Sequence, residues 1–380
     1  MMAAVTAAIL LTGVGLAAQA SAATQGPARV TRPAAAGYAV SGNLVAVAAT
    51  SATNAWAVGT YAPGAGSALI VHWNGHAWSK VPTGVPAAHG SDLTAVAASS
   101  AGNAWATGSL SEGSASKPLI LHWNGHAWKQ VPFSAPADTA ITSVSVTSAT
   151  SAWVVGEYGA APFKPIALHW NGSAWKSVAL PKLPLTKYVG AMLNSVSATS
   201  AGNAWAVGAF NDAFAGPGGG FALHWNGKSW SRVASAPAGQ GDPVAVAATT
   251  ANSAWLIGCP CQGGPAGAVI GSWNGHTWKA VPTPVAKPGS FGGSGNAIAA
   301  SGRLAWAAGT YCTSGCTSYP VFILRWTGSG WKQTPVPDKP NGILGLAVTS
   351  AANAWAVGTT PLSNGTTRTL ILHWNGSKWS

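Results

Sequence analysis

The side chains in this chain that could do chemistry are few, and their types bound what that chemistry could be. Seven acids are present: Asp92, Glu112, Asp138, Glu157, Asp212, Asp242 and Asp338. Two carboxylates held a suitable distance apart could serve a glycosidase or lyase, and Glu112, Glu157 and Asp212 are the candidates for such a group. Seven acids are too few for an EF-hand array or a carboxylate-rich metal cage. No Gly-x-Ser-x-Gly elbow, Walker loop, His-Glu-x-x-His or dinucleotide fingerprint occurs, and no cofactor is expected.

Nine histidines could suggest a metal. Five of them, His72, His122, His169, His224 and His373, occupy one position of a repeat, with Ser272 and Arg325 in two further copies. Residues a whole repeat apart do not converge on one ion, so a repeated hydrogen-bonding role is expected and no metal site. The four cysteines form two groups, Cys259-Pro260-Cys261 and Cys312-x-x-x-Cys316. In an exported chain they read as disulfides rather than zinc ligands. Of the three pairings that four cysteines allow, Cys259–Cys261 with Cys312–Cys316 is favoured, and cross-pairing between the groups is its rival.

The elements that position these residues come from the repeat. A Trp in an Asn/Ser-Ala-Trp-like step recurs at 56, 105, 153, 205, 255, 306 and 355. A second recurs in a His-Trp-Asn-Gly-like turn at 73, 123, 170, 225, 273, 326 and 374. A third follows five residues later, at 78, 128, 175, 230, 278, 331 and 379, so seven units of three use all 21 Trp. Each unit reads as four short strands, a to d; in the second copy these are Leu93–Ala98, Asn103–Gly108, Leu119–Trp123 and Ala127–Val131. Asn-Gly between c and d suits a tight hairpin turn. Strand b carries Trp56 and Val58 on one face and Ala55 and Ala57 on the other. A sheet that is apolar on both faces must be covered on both. Four strands per unit at a period near fifty indicate an all-β, seven-bladed β-propeller of four-stranded antiparallel blades, over a solenoid, which would need polar end caps.

Residues 3–18 are apolar and Ala20-Ser21-Ala22 offers a cleavage site, so 1–22 reads as a secretory signal, although the basic start of such a signal is missing. Residues 23–41 form an N-terminal segment and 42–380 the propeller. The last unit ends at Trp379-Ser380, before the Val that completes strand d elsewhere, and Arg29-Val30 resembles the Arg232-Val233 end of that strand. Residues 28–32 are therefore expected to complete the last blade and latch the ring.

Trp56-Ala57-Val58-Gly59 and Leu372-His373-Trp374-Asn375-Gly376-Ser377-Lys378-Trp379 resemble the repeats of secreted bacterial seven-bladed propellers. The c–d turn also resembles the Asp-box of sialidase-like propellers, with Asn in place of Asp and one residue fewer before Gly. Kelch, galactose-oxidase-like and Asp-box propellers are the superfamilies in question. The resemblance implies fold more than function, because such folds host enzymes, lectins and scaffolds alike. The arginine cluster of a sialidase is absent, and Tyr311-Cys312 lacks the His ligands that a galactose-oxidase-type copper site would need.

In a propeller the a–b and c–d loops share one face and the b–c and d–a loops the other. The former are near copies; the latter differ in every blade and hold all seven acids, all four Cys and all six Tyr. Function tends to sit in varied loops on a rigid scaffold, so Tyr61, Glu112, Glu157, Tyr158, Tyr188, Asp212, Phe214, Tyr311 and Tyr319 are the candidate binding residues. The net charge of +12 does not indicate nucleic acid. On the varied face eight bases oppose seven acids, and Lys80, Lys129, Lys176, Arg232, Lys279 and Lys332 lie on the outer edge strands, where charge discourages edge pairing. That rim could loosely attract anionic cell-wall polymer. Apart from the N-terminus, no apolar run approaches the ~20 residues of a membrane span. The expectation is a secreted, monomeric, non-catalytic propeller that binds a glycan or an extracellular protein, with a carbohydrate-active enzyme as the alternative.

Overall fold

Alternation along the second strand, with Trp56 and Val58 on one face and Ala55, Ala57 and Gly59 on the other in the first copy, gives the sheet one bulky and one small face, and the computed structural model stacks such faces in a ring. It describes residues 38–380 except 63–65, 87–89, 113–114, 187–188, 213–215, 234–240, 261–267, 285–292, 312–318 and 338–339. Blade 1 comprises β1 (Gly42–Ser51), β2 (Asn54–Tyr61), β3 (Ser67–Trp73) and β4 (Trp78–Lys80). Blade 2 comprises β5 (Ser91–Ser100), β6 (Asn103–Glu112), β7 (Ala115–Trp123) and β8 (Trp128–Gln130). Blade 3 comprises β9 (Ala140–Ser148), β10 (Ser151–Tyr158), β11 (Lys164–Trp170) and β12 (Trp175–Ser177). Blade 4 comprises β13 (Val189–Ser200), β14 (Asn203–Asp212), β15 (Gly216–Trp225) and β16 (Trp230–Val233). Blade 5 comprises β17 (Gly241–Thr250), β18 (Ser253–Pro260), β19 (Val269–Trp273) and β20 (Trp278–Val281). Blade 6 comprises β21 (Gly293–Ser301), β22 (Leu304–Tyr311), β23 (Val321–Trp326) and β24 (Trp331–Thr334). Blade 7 has β25 (Gly342–Ser350), β26 (Asn353–Pro361) and β27 (Thr367–Trp374). All pairings are antiparallel in chain order, and no helix occurs among the described residues. The protein is an all-β seven-bladed propeller.

Seven apolar clusters form the core, each shared by two adjacent blades. The first Trp of a blade, on strand b, meets the second and third Trp of the next. Trp56, for example, lies 4.8 Å from Trp123 and 5.1 Å from Trp128, the latter edge to face. Each such Trp buries roughly 150–250 Å², which explains how so charge-poor a chain holds its blades together.

The innermost strands ring a channel of about 220 Å³. All seven share a bulge at an equivalent position, with Val45, Thr94, Thr142, Asn194, Val244, Asn296 or Leu344 as the extra residue. Four of these reach the next blade: the hydroxyls of Thr94 and Thr142 donate to the Ile141 and Leu193 carbonyls, and the amides of Asn194 and Asn296 to those of Pro243 and Ile343. The bulge also explains the Gly that ends each Trp-Ala-Val-Gly step. A Cβ on Gly108 would lie 2.0 Å from the Asp92 carbonyl oxygen, and one on Gly59 would lie 2.2 Å from that of Asn43.

Two stretches far apart in sequence, residues 40–41 and 379–380, meet on β27. Trp379 and Ser380 stand in the place of a fourth strand in blade 7: Trp379 bridges Trp374, and Ser380 exchanges two backbone bonds with His373. Farther along the same outer edge, Thr369 N–H donates to the Val40 carbonyl and Ser41 bridges Arg368. Residues 28–32, the expected latch, lie outside the described residues. On the edge they were expected to fill, Thr369 is bonded to Val40 and His373 to Ser380.

Candidate functional site

The two faces of the ring are built differently. On the a–b/c–d face six of the seven c–d turns are closed by an Asn: Asn74 Oδ1 accepts the His76 and Ala77 N–H groups, and Asn124, Asn171, Asn226, Asn274 and Asn375 repeat this, while in blade 6 Thr327 Oγ1 accepts the Gly330 N–H. The adjoining Trp indole donates to an a–b turn carbonyl, as Trp73 does to Ala52 and Trp123 to Ala101. The repeated His sits beside these turns. His72 lies over Trp56, and its Nε2 is 2.8 Å from Asn54 Oδ1, whose amide donates to Thr50. The same Ser/Thr–Asn–His chain occurs at His122, His224 and His373, with Ser151 as the partner of His169. Burial lowers the pKa of His72, His122, His169 and His224, so they sit as neutral, positioned rings. Among the described residues no three His, Cys, Asp or Glu gather as metal ligands.

The b–c/d–a face is where the blades differ, and several candidates there are not loop residues. Tyr61, Tyr158 and Tyr311 are the last residues of β2, β10 and β22, and each packs against an inter-blade cluster. Lys80 Nζ lies 4.7 Å above the Tyr61 ring. Strands b and c run farther than the repeat suggested, so these Tyr obey ordinary strand preference. Tyr319 is 60% exposed. Tyr188 and Phe214 lie outside the described residues, as does the side chain of Asp212.

The acids are dispersed. Glu112 forms an exposed ion pair with Lys117 across the β6–β7 hairpin, 2.5 Å apart. Glu157 stands opposite Ala140 and Pro165, with Oε2 buried and unbonded, and burial raises its pKa. Asp242, opposite Cys259, also has a buried unbonded oxygen and a pKa raised by burial. Glu112 and Glu157 line none of the three cavities described here. Cys259 is a free thiol rather than half of the expected bond to Cys261; its Sγ lies 3.2 Å from Ser294 Oγ of the next blade. Cys261, Cys312 and Cys316 lie outside the described residues.

Two grooves flank blade 3 on this face. One, of about 480 Å³, lies between blades 2 and 3 and is lined by the polar side chains of Asp92, Ser109, Ser116, Asp138 and Thr139 together with Pro118, Ala140 and Ile141. Ser109 donates to Asp92 in it. The other, of about 430 Å³, runs along blade 3 and is lined by Pro136, Tyr158, Lys164, Pro165 and the Ser177–Leu183 stretch with Leu185. Of the sequence candidates among the described residues, Tyr158 lines one of these two grooves. Asp92, Asp138, Lys164, Lys182 and Leu185 were missed. The available signal was the long, proline-rich connection after Val178, fifteen residues from the next strand a.

A closed ring of four-stranded blades with one uniform and one varied face defines the class of protein. No protein-family profile matches the chain, and no curated protein matches its sequence. Solved structures do match its fold. The β-propeller domain of the trilobed protease from Pyrococcus furiosus matches with a TM-score of 0.58 at 11% identity, over 90% of this chain and 95% of that one. The GH74 xyloglucanase from Xanthomonas campestris matches at 0.56 and 15% identity, over 90% of this chain and 56% of its own. YCF48 bound to D1 peptide matches at 0.55 and 14% identity, over 88% and 96%. At these identities the likeness is one of fold.

Proposed function

We propose that the protein is a secreted, non-catalytic binding propeller whose b–c/d–a face receives a glycan or an extracellular protein. The observation that carries this reading is the contrast between the faces. One is fixed in five of the seven blades through the same Asn, Trp and His bonds, while the other departs from the repeat and opens into two grooves beside blade 3. Rigid strands under varied side chains are the arrangement that recognition sites use. Polysaccharide and peptide ligands both have precedents on this fold, in the xyloglucanase and in YCF48. In an oxidising compartment Cys312 and Cys316 would form a disulfide.

Glycan arrays and peptide libraries, probed with the full chain, test this reading. Binding that is lost in Tyr158→Ala or Asp138→Ala, but kept in Ser173→Arg and Ser329→Arg on the opposite face, supports it. Binding lost only in the latter pair refutes it.

A second reading, a carbohydrate-active enzyme, is favoured by Asp92 and Asp138 lining one groove. Release of reducing sugar from polysaccharides, abolished in Asp138→Asn, would establish it; inactive wild-type protein would remove it.

A further inference from the structure

We propose that the blade 3 groove is the docking site of an extended peptide with apolar side chains at its centre and an acidic group at one end. This rests on the binding-face reading above, and names the ligand class and its place.

The groove's chemistry selects such a ligand. Its walls are largely apolar, formed by Pro136, Pro165, Val178, Leu180, Pro181 and Leu185. Leu185 is one of three large hydrophobics exposed by more than a third among the described residues. In a protein that buries its apolar side chains so thoroughly, an open leucine in a groove of this size reads as a contact surface. The three prolines offer ring faces and carbonyl oxygens but no N–H. The walls therefore accept hydrogen bonds from a peptide backbone more readily than they donate them.

Charge sets the ends. Lys164 and Lys182 line the groove without any acid in its lining, and both are exposed. The ion pair found among the described residues, Lys117 with Glu112, involves neither. Beyond the ridge at Pro136–Asp138 the companion groove reverses the sign, with Asp92 and Asp138 and no base. A peptide placing its acidic end at the lysines and a Lys or Arg across the ridge meets opposite charge at both ends. A neutral glycan fits this groove less well: the apolar walls would strand its hydroxyls without partners, whereas leucine-like side chains gain by burial there.

A random dodecapeptide library displayed on phage and panned against the full chain provides the test. Enriched peptides are expected to combine an apolar or proline-containing centre with Asp or Glu near one end. A fluorescently labelled winner should lose at least tenfold in affinity to the Lys164→Glu/Lys182→Glu protein and to Leu185→Ser. All three positions are exposed, and an unchanged melting midpoint verifies folding. Winners that bind these variants undiminished, or that are cationic throughout, overturn the proposal. If no peptide is enriched while an arrayed glycan binds in an Asp138-dependent way, the peptide assignment fails and the face reading stands. If neither ligand class binds, both fall.

Discussion

The indoles of Trp78 and Trp355 meet edge to face, 5.1 Å apart at 88°, across the seam where the last blade meets the first. Trp73 lies 5.2 Å from the same Trp355. This triad reproduces the Trp56, Trp123 and Trp128 contact between blades 1 and 2. The seam is therefore sealed by the same packing as the continuous part of the ring.

That equivalence has a measurable consequence. Trp78→Ala and Trp128→Ala should each cost about 3–5 kcal/mol, the usual range for removing a buried Trp, and should agree within about 1 kcal/mol. Urea unfolding followed by far-ultraviolet circular dichroism reads both. A Trp78→Ala cost near zero would mean that the seam contributes little and the ring behaves as an open stack.

The Gly ending each strand b motif makes a second expectation. A Cβ on Gly108 would fall 2.0 Å from the Asp92 carbonyl oxygen, a backbone atom that cannot swing aside. Gly108→Ala should therefore cost about 3 kcal/mol or more, at or above the usual penalty for overpacking. Gly365 has positive φ and open space around it, so Gly365→Ala should cost only the left-handed backbone penalty of about 1–2 kcal/mol. Reversal of that order in thermal melts would contradict the bulge geometry.

Protonation supplies a third. Burial lowers the pKa of His72, His122, His169 and His224 below 6.5 in the folded chain. The unfolded chain then binds protons more readily, so this stability is complete above pH about 6.5 and is lost as pH falls through the lowered values. Glu157 and Asp242 act in the opposite sense. Their raised pKa values favour the folded state at low pH, and that advantage is lost as pH rises through them. Urea midpoints should fall between pH 7 and pH 5, less steeply in His72→Gln. Glu157→Gln should raise the midpoint at pH 7 and have little effect near pH 4.

How much of this was legible in the sequence depended on whether one residue does one job in every blade. The 21 Trp do so in all seven blades, the Asn of the c–d turn in six and the repeated His in five, and their spacing was enough for the blade number and the uniform face. Strand ends were misplaced because Tyr61, Tyr158 and Tyr311 stand where each blade begins to vary, and the repeat stops being informative there. The bulge was invisible because Leu44-Val45-Ala46-Val47 reads as an unbroken buried strand. The blade 3 groove draws its walls from three stretches, near Pro136, around Lys164 and after Ser177, which only the folded sheet brings side by side.

The bulge position allows a final expectation, since natural copies already sample its alternatives. Thr142 Oγ1 lies 2.6 Å from the Leu193 carbonyl oxygen and 3.0 Å from that of Val155, joining blades 3 and 4 at the channel. Val45 and Val244 occupy the equivalent place in blades 1 and 5. The backbone there evidently tolerates an isosteric methyl, so Thr142→Val should fold normally and lose about 1 kcal/mol, the net worth of a neutral hydrogen bond. Val45→Thr should recover a comparable amount by reaching the Leu93 carbonyl of blade 2, as Thr94 reaches that of Ile141. A double variant carrying both changes would then unfold at nearly the wild-type urea midpoint, because sites so far apart and sharing no partner add independently. A Val45→Thr protein as destabilised as Thr142→Val would show instead that the channel favours its present mixture of polar and aliphatic residues for packing, with the inter-blade bonds incidental.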